Sequence, residues 1–501
     1  MPYTLDRAGS ISLRQIFPDG HILGGSDVQV TSCSGEARAC RPGDLFVALV
    51  GVDDDGHDQV RMACRRGATA ILAERPLPVD VPVCVVPDTR IAYGRLCQRL
   101  AGDPGESLRV VGVTGTNGKT TTTMLITAVL DAAEQVVGVT STLGHSDCLK
   151  VTPAARTTPN PPELADLLRR MSANGGSHAV VEVSSSGLAQ HRLAGLPLDA
   201  AVLTNLRRDH LDLHGTVLNY RRAKCRLFSY LKPNGFAVIN ADDPGSRFAL
   251  SQLQCPVVTV GMREQAEIMA TVVERHSSEQ TFLLIAGNET VPVRTRMVGD
   301  QHVSNCLAAA AVGLVMGIDL TTVARGLEVV ERIPGRMDRI ECGQTFGVYA
   351  DCADTPDRLA VGLKTLRRTT QGRVMCVFSA DDEQHKEERP LMGRLAEKAA
   401  DLGVITSSWE GSADSAEAIH DVLDGYDRPA RAHVIPDRAQ AIAWVLSQAR
   451  EGDSVLIAGG DRTEGMVDNG YGLSCRDAEI ARNWLYESSR DTIEFSGIAM
   501  G

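Results

Sequence analysis

The feature that most constrains this chain is the run Val111-Gly112-Val113-Thr114-Gly115-Thr116-Asn117-Gly118-Lys119-Thr120-Thr121. Residues 108–113 read as a strand, and the threonines after Lys119 open a helix. A glycine-rich turn between strand and helix is what a phosphate cradle requires. Glycines let backbone N–H groups approach an anion, and the helix N-terminus adds positive potential. Lys119 is placed for the β- and γ-phosphates of a nucleotide, and the Thr120 hydroxyl for Mg²⁺. The spacing departs from GxxxxGK[ST], and the bland alternative is a glycine-rich turn with no ligand. The order of strand, glycines, lysine and threonine argues against it.

Around this loop, apolar runs at 179–183, 200–203, 237–239 and 256–260 alternate with helical stretches, the rhythm of a mostly parallel sheet covered on both faces. Residues 45–50, 70–73 and 81–86 read as strands in the first hundred residues, and 374–378, 403–406 and 454–458 in the last third. A chain of 501 residues is too long for one core. The turn-rich Ala101-Gly102-Asp103-Pro104-Gly105 and Ile333-Pro334-Gly335-Arg336 divide it into three α/β domains: 1–105, 106–333 and 334–490, with a loose tail at 491–501.

Net charge is −12 with no basic block, which disfavours long nucleic acid as a partner and still allows nucleotides. The 13 cysteines are scattered without a CxxC pair, which suits a reducing cytoplasm better than a disulfide framework or a zinc ribbon. No secretory signal or membrane-spanning run is evident. The expectation is a cytoplasmic protein acting on small molecules, without membrane insertion and as a monomer.

Two polar segments follow strands, at the carboxyl ends where open parallel sheets bind ligands. They are Glu182-Val183-Ser184-Ser185-Ser186 and Thr204-Asn205-Leu206-Arg207-Arg208-Asp209-His210-Leu211-Asp212-Leu213-His214. Glu182 suits Mg²⁺, and His210 could bind a second divalent ion. A zinc hydrolase is the competing reading of DHLDLH, but the HExxH spacing is missing. Ordinary surface polarity after a strand is the other.

These strings, with TTP from Thr157, QHR from Gln190, YRRAKCRLF from Tyr220, NADD from Asn240, PGRMD from Pro334 and ARACRPGDLFVAL from Ala37, resemble the Mur ligases across nearly the whole chain. The branch most similar adds the third residue of the peptidoglycan stem peptide, a role in cell-wall biogenesis and so in cell shape and division. The resemblance implies three domains: one for the uridine nucleotide, a central phosphate-loop ATPase with a parallel sheet, and a Rossmann-like C-terminal domain that receives an amino acid. It implies an ATP-dependent amide ligation onto UDP-N-acetylmuramoyl-L-alanyl-D-glutamate through an acyl phosphate, with ATP and Mg²⁺.

By the same resemblance, Thr114, Gly115, Thr116, Asn117, Gly118, Lys119, Thr120, Thr121, Asn305, Arg336 and Arg389 face the nucleotide. Thr157, Thr158, Ser184, Gln190 and Arg192 hold the UDP-muramoyl-dipeptide. Thr120, Glu182, His210 and Lys224 serve the metal ions, with Lys224 carbamylated. Lys119, Lys224, His210 and Glu182 carry the chemistry. An ordinary helix-surface lysine is the bland reading of Lys224.

The last third departs from the family pattern. Asp354 stands where a histidine is usual, and Phe378-Ser379-Ala380-Asp381-Asp382-Glu383-Gln384-His385 replaces a glycine-rich stretch. Ser408-Trp409-Glu410-Gly411 falls where DNPR or DNPA would select the amino acid, and Asp461-Arg462-Thr463 interrupts the late AGKGHE motif. Ser186 replaces a histidine, and His302 an asparagine. Acids near the phosphates would repel them. Two readings follow: a working ligase, or a non-catalytic paralogue that binds ATP and the UDP precursor as a regulator or scaffold. The complete central site favours the first.

Overall fold

The structure, a computed structural model, describes residues 5–51, 54–379, 387–407, 415–460, 466–468 and 473–498. The chain forms two compact units, Met1–Thr259 and Val260–Gly501.

The first unit opens with β1 (Leu5–Ser12), β2 (His21–Leu23), β3 (Gln29–Ser34), β4 (Leu45–Val47), β5 (Ala70–Ala73) and β6 (Val83–Val85), in the order β1-β3-β4-β5-β6-β2. β3 to β6 are parallel, and β1 and β2 close the edges antiparallel. The period-2 alternation of β4 and β5 splits their side chains between two cores. Leu45, Val47 and Leu72 pack with Leu96 and Leu100 of the helix Thr89–Leu100. Phe46, Ile71 and Ala73 pack with Val60 and Ala63 on the other face. Burial on both faces explains why these strands read as continuous apolar runs.

The second sheet contains β7 (Arg109–Thr114), β8 (Val137–Ser141), β9 (Gly144–Ser146), β10 (Val151–Thr152), β11 (His178–Glu182), β12 (Leu198–Leu203), β13 (Leu231–Asn240) and β14 (Val257–Gly261). Their order is β10-β9-β8-β11-β7-β12-β13-β14. β8, β11, β7, β12 and β13 are parallel. β7 is central: the chain leaves it through the helix Lys119–Ala132 toward β8 on one side, and β12 lies on the other. Such a reversal opens a crevice at the carboxyl ends of the strands, and the phosphate loop lies there.

The second unit carries β15 (Ile268–Arg275), β16 (Gln280–Ala286) and β17 (Glu289–Thr295), an antiparallel ribbon that the sequence reading did not anticipate, followed by helices Asp300–Val315 and Leu320–Glu328. Its last sheet is built from β18 (Asp338–Arg339), β19 (Gly347–Asp351), β20 (Val374–Ser379), β21 (Leu402–Thr406), β22 (His433–Val434) and β23 (Ser454–Ala458), in the order β18-β19-β23-β20-β21-β22. All but the edge strand β18 are parallel. Leu359, Leu363, Met392 and Val422 cover one face, and Ile442, Val445, Ala481 and Leu485 the other. This is the expected doubly wound, Rossmann-like arrangement. The helix Arg476–Ile498 extends into the stretch that reads as a loose tail, with no glycine or proline in it before Gly497.

Candidate nucleotide and metal site

β7 carries a fully buried valine ladder into a turn that only glycine can make. A Cβ on Gly115 would lie 1.8 Å from Thr204 Oγ1. Gly118 takes φ +82, the left-handed region, immediately before the helix Lys119–Ala132. No side chain caps that helix, so its first N–H groups point into the crevice, the geometry an anion uses. The loop is held from behind: Thr116 N donates to Asn205 O at 3.0 Å, and Asn117 N to Asn205 Oδ1 at 2.9 Å. Lys119 Nζ donates to the carbonyls of Gly115 and Thr116, both at 3.0 Å, which keeps its ammonium over the loop.

Register places the end of β11 beside this loop, since Glu182 pairs with Val113. The Glu182 carboxylate is 1% exposed. Its Oε1 accepts from Thr120 Oγ1 at 2.9 Å, and its Oε2 from the backbone N–H of Thr142 at 2.9 Å. The Thr142 hydroxyl also reaches Oε1 and Oε2, at 3.1 and 3.2 Å, and Thr157 Oγ1 at 3.2 Å. A hydroxyl and a carboxylate at the mouth of a phosphate loop form the donor set magnesium takes when phosphates supply further oxygens. Among the described residues no three His, Cys, Asp or Glu side chains converge as a metal site.

The residues of the first unit expected on the substrate side converge. Thr158 Oγ1 accepts from Ser184 N at 2.9 Å and donates to Glu182 O at 3.1 Å. Ser184 caps the short helix Ser185–Ala189 through Gly187 N, and Ser186 Oγ lies 3.1 Å from Ser184 Oγ. Arg192, 5% exposed, donates to Thr158 O at 2.6 Å and to Gln190 Oε1 through two nitrogens at 3.2 and 2.9 Å. Burial, with Arg156 nearby, pulls its guanidinium down to about 10. A substrate carboxylate would reverse that strain.

Lys224 is not a surface lysine. It is 1% exposed, lies in the helix Val217–Cys225, and donates to Gly115 O at 2.7 Å. Its Nζ stands 4.9 Å from the centre of the Tyr220 ring, and Tyr220 OH meets Thr116 Oγ1 at 2.9 Å. His210 differs: its side chain is 44% exposed, its φ is +48, and Nε2 is 3.7 Å from Asp209 Oδ2.

In the second unit, Asn305 is buried on the helix Asp300–Val315. His302, on the same helix, meets Thr295 Oγ1 at 3.2 Å. Desolvation pushes the half-buried Asp351 carboxyl up, and Arg336 and an N–H donated by Met337 at 2.7 Å partly offset this. Arg389 is buried in an ion pair with Asp421 at 2.8 Å. Asp354 is neutralised by Arg358 at 2.7 Å, so its charge is offset locally. Ala380, Asp381, Asp382, Glu383, Gln384, His385, Ser408, Trp409, Glu410, Gly411, Asp461, Arg462 and Thr463 lie outside the described residues. The sequence reading missed Thr142, and it quoted Asn205 and Tyr220 without a role. Their signal was position: each follows a strand or precedes Lys224 in a motif already noticed.

The Mur ligase middle domain matches residues 113–313, and the Mur ligase glutamate ligase domain residues 335–460. A UDP-N-acetylmuramoyl-L-alanyl-D-glutamate–2,6-diaminopimelate ligase of Geobacillus thermodenitrificans is 39% identical over 443 residues, 87% of this chain and 90% of the relative. A UDP-N-acetylmuramyl-tripeptide synthetase of Roseiflexus sp. is 37% identical over 476 residues, 90% and 94% of the two chains. A solved diaminopimelate ligase superposes with TM-score 0.69 at 29% identity, covering 96% of this chain and 99% of that one. The MurF ligase of Thermotoga maritima in complex with ADP shares the fold at TM-score 0.62 and 22% identity, covering 91% and 98%. With both domain patterns matched and relatives similar over almost their full length, the chain belongs to the Mur ligase family and has its three-domain α/β architecture.

Proposed function

We propose that the chain is an ATP-dependent acid–amino-acid ligase that extends UDP-N-acetylmuramoyl-L-alanyl-D-glutamate by one amino acid in peptidoglycan synthesis. The observation that carries this reading is the uncapped helix N-terminus at Gly118, with Lys119 over the loop and the Thr120–Glu182 pair at its mouth. The full-length similarity to diaminopimelate ligases and to a tripeptide synthetase supports the substrate, and favours a working ligase over a non-catalytic paralogue. Domain limits near residues 105 and 333 go with this reading.

Two anions, ATP and a carboxylate, must approach one another. Lys119 and the helix N-terminus offset charge on the phosphates. Thr120 and Glu182 fit one Mg²⁺, and His210 with a carbamylated Lys224 a second. Bound Mg²⁺ would neutralise phosphate charge as the carboxylate attacks the γ-phosphorus and ADP leaves. Attack by the amine of the incoming amino acid on the acyl phosphate then forms the amide and releases phosphate. Thr157, Thr158, Ser184, Gln190 and Arg192 orient the precursor. Asn117, Asn305, Arg336 and Arg389 stand with the nucleotide in this reading.

Carbamylation has a local motive. Lys119 and Lys224 both donate to Gly115 O, so a half-buried and a buried ammonium group share one acceptor. Converting Lys224 to a carbamate replaces that repulsion with attraction. Among the described residues no helix is long and apolar enough to cross a membrane, and we read the protein as a cytoplasmic monomer.

The test is ADP and phosphate release by the purified protein with Mg²⁺, ATP and the UDP-muramoyl-dipeptide, across diaminopimelate, lysine, ornithine and other amino acids. Release that requires both the precursor and one amino acid is expected. ATP binding with no release for any amino acid would replace the ligase with a non-catalytic nucleotide-binding role.

A further inference from the structure

We propose that Thr142 is a positioning residue that ties the carboxylate Glu182 to the substrate-side Thr157, so that the metal and precursor sites are set together. The proposal rests on the ligase reading and extends it to a residue outside the phosphate loop and the EVSS segment.

Thr142 follows β8 directly, and β8 pairs in parallel with β11, whose last residue is Glu182. That pairing sets the Thr142 backbone beside the Glu182 side chain. The Thr142 N–H holds Oε2 at 2.9 Å, while Thr120 Oγ1 meets Oε1 at 2.9 Å. The two carboxylate oxygens are thus differentiated: Oε2 is anchored to backbone, and Oε1 faces the phosphate-loop hydroxyl. Thr120 and Glu182 would hold a divalent ion that offsets phosphate charge, and Thr142 would remain the backbone anchor of the Glu182 carboxylate. Groups that orient a metal-ligating side chain in this way commonly govern affinity as strongly as many ligands do.

The hydroxyl of Thr142 fixes a direction as well. A carboxylate only accepts, so Thr142 Oγ1, at 3.1 and 3.2 Å from the two oxygens, must donate its single proton to Glu182. Its contact with Thr157 Oγ1 at 3.2 Å then requires Thr157 to be the donor. With its proton committed inward, Thr157 presents only lone pairs outward. It therefore recognises an N–H or O–H of the precursor and not an anionic oxygen. The chain Thr157 to Thr142 to Glu182 makes the orientation of the precursor contact depend on the ionised carboxylate.

The experiment compares Thr142→Val, which keeps the backbone N–H and the volume but removes the hydroxyl, with Thr142→Ser, which restores it. Mg²⁺ is titrated against binding of a fluorescent ATP analogue, and the KM for the UDP-muramoyl-dipeptide is measured separately, with thermal melts as the check on folding. Thr142→Val should weaken Mg²⁺-dependent nucleotide binding about 10- to 100-fold and raise the KM for the precursor, with Thr142→Ser near wild type in both. A folded Thr142→Val protein that matches wild type in both readouts overturns the proposal while leaving the ligase intact. Equal damage in Thr142→Ser overturns it too, because a hydroxyl at this position would then fail to restore either readout. Wild-type protein without Mg²⁺-dependent nucleotide binding would overturn the ligase reading itself, and this proposal with it.

Discussion

Lys224 and His302 are both buried ionisable side chains, and they sit in different electrostatic settings. Lys224 shares the Gly115 carbonyl with Lys119 and leans on the Tyr220 ring. Lys224→Ala should abolish turnover and keep ATP binding, with acetate or another small carboxylate restoring part of the activity by filling the space of the carbamate. Phosphate release with and without the additive decides this, and full activity in the unsupplemented variant would remove Lys224 from the mechanism. His302 is held neutral by burial, which pushes its imidazole from 6.5 down to about 3. Between those values the unfolded chain takes up a proton that the folded chain does not, so stability falls as pH falls. At pH 5 this amounts to about 2 kcal/mol. His302→Asn should flatten the acid limb of a denaturation series between pH 6.5 and 4, and an unchanged pH slope would show that another group controls it. At this scale the sequence was informative where a motif names the side chain, as with Lys119 and Glu182. It was silent on Thr142, whose role exists only because β8 and β11 pair.

Among the elements, parallel strands were the easiest to read. Each of the runs at 70–73, 179–183 and 454–458 is buried on both faces, and continuous apolarity is the sequence image of that burial. The ribbon β15–β17 was harder, because its outer residues, such as Glu274, Arg275 and Glu289, face water and dilute the apolar signal. A signal did exist: Gly287-Asn288, between the paired Ala286 and Glu289, forms a two-residue hairpin turn with Gly287 at φ +58. The phosphate loop shows how an element converts a glycine into function. Gly115→Ala would drive a methyl group into Thr204 Oγ1, which already holds the Asn117 carbonyl. The loop must shift to admit it. The expected result is a folded protein, by its melting curve, that has lost most of its affinity for ATP. Wild-type affinity in that variant would show that the loop tolerates a Cβ and that its tight approach to β12 is dispensable.

On the scale of the whole molecule, turn-rich composition and spatial compactness divide the chain at different places. The sequence marks 333, where Pro334 and Gly335 interrupt the pattern; the compact second unit begins at Val260. Composition registers local chain direction, and compactness registers contacts between distant residues, which no local reading of sequence contains. Within the second unit those contacts are specific. Val298 joins the core cluster of Tyr349, Leu363 and Leu456, and Tyr349 OH donates to Ser277 O. Asp300, in the first turn of its helix, pairs with Arg275 of β15 at 2.6 Å and with Arg368 of the helix Pro356–Thr369 at 2.5 Å. One carboxylate thus joins a residue of the middle-domain match to one of the glutamate-ligase-domain match. Burial raises the Asp300 carboxyl, but the two arginines outweigh it and hold it below the usual value. The stabilisation is therefore present above the ordinary Asp pKa and is lost as pH falls through the lowered one. Because the side chains are partly exposed, solvent screens the node, and Asp300→Asn should cost about 1–2 kcal/mol. Charge repulsion between Arg275 and Arg368 is part of that cost, so the difference in Tm from wild type should narrow as salt is raised toward 1 M. A Tm difference independent of salt would assign the loss to packing at the start of the helix, and no difference at all would mean that the apolar cluster around Val298 suffices to hold these segments together.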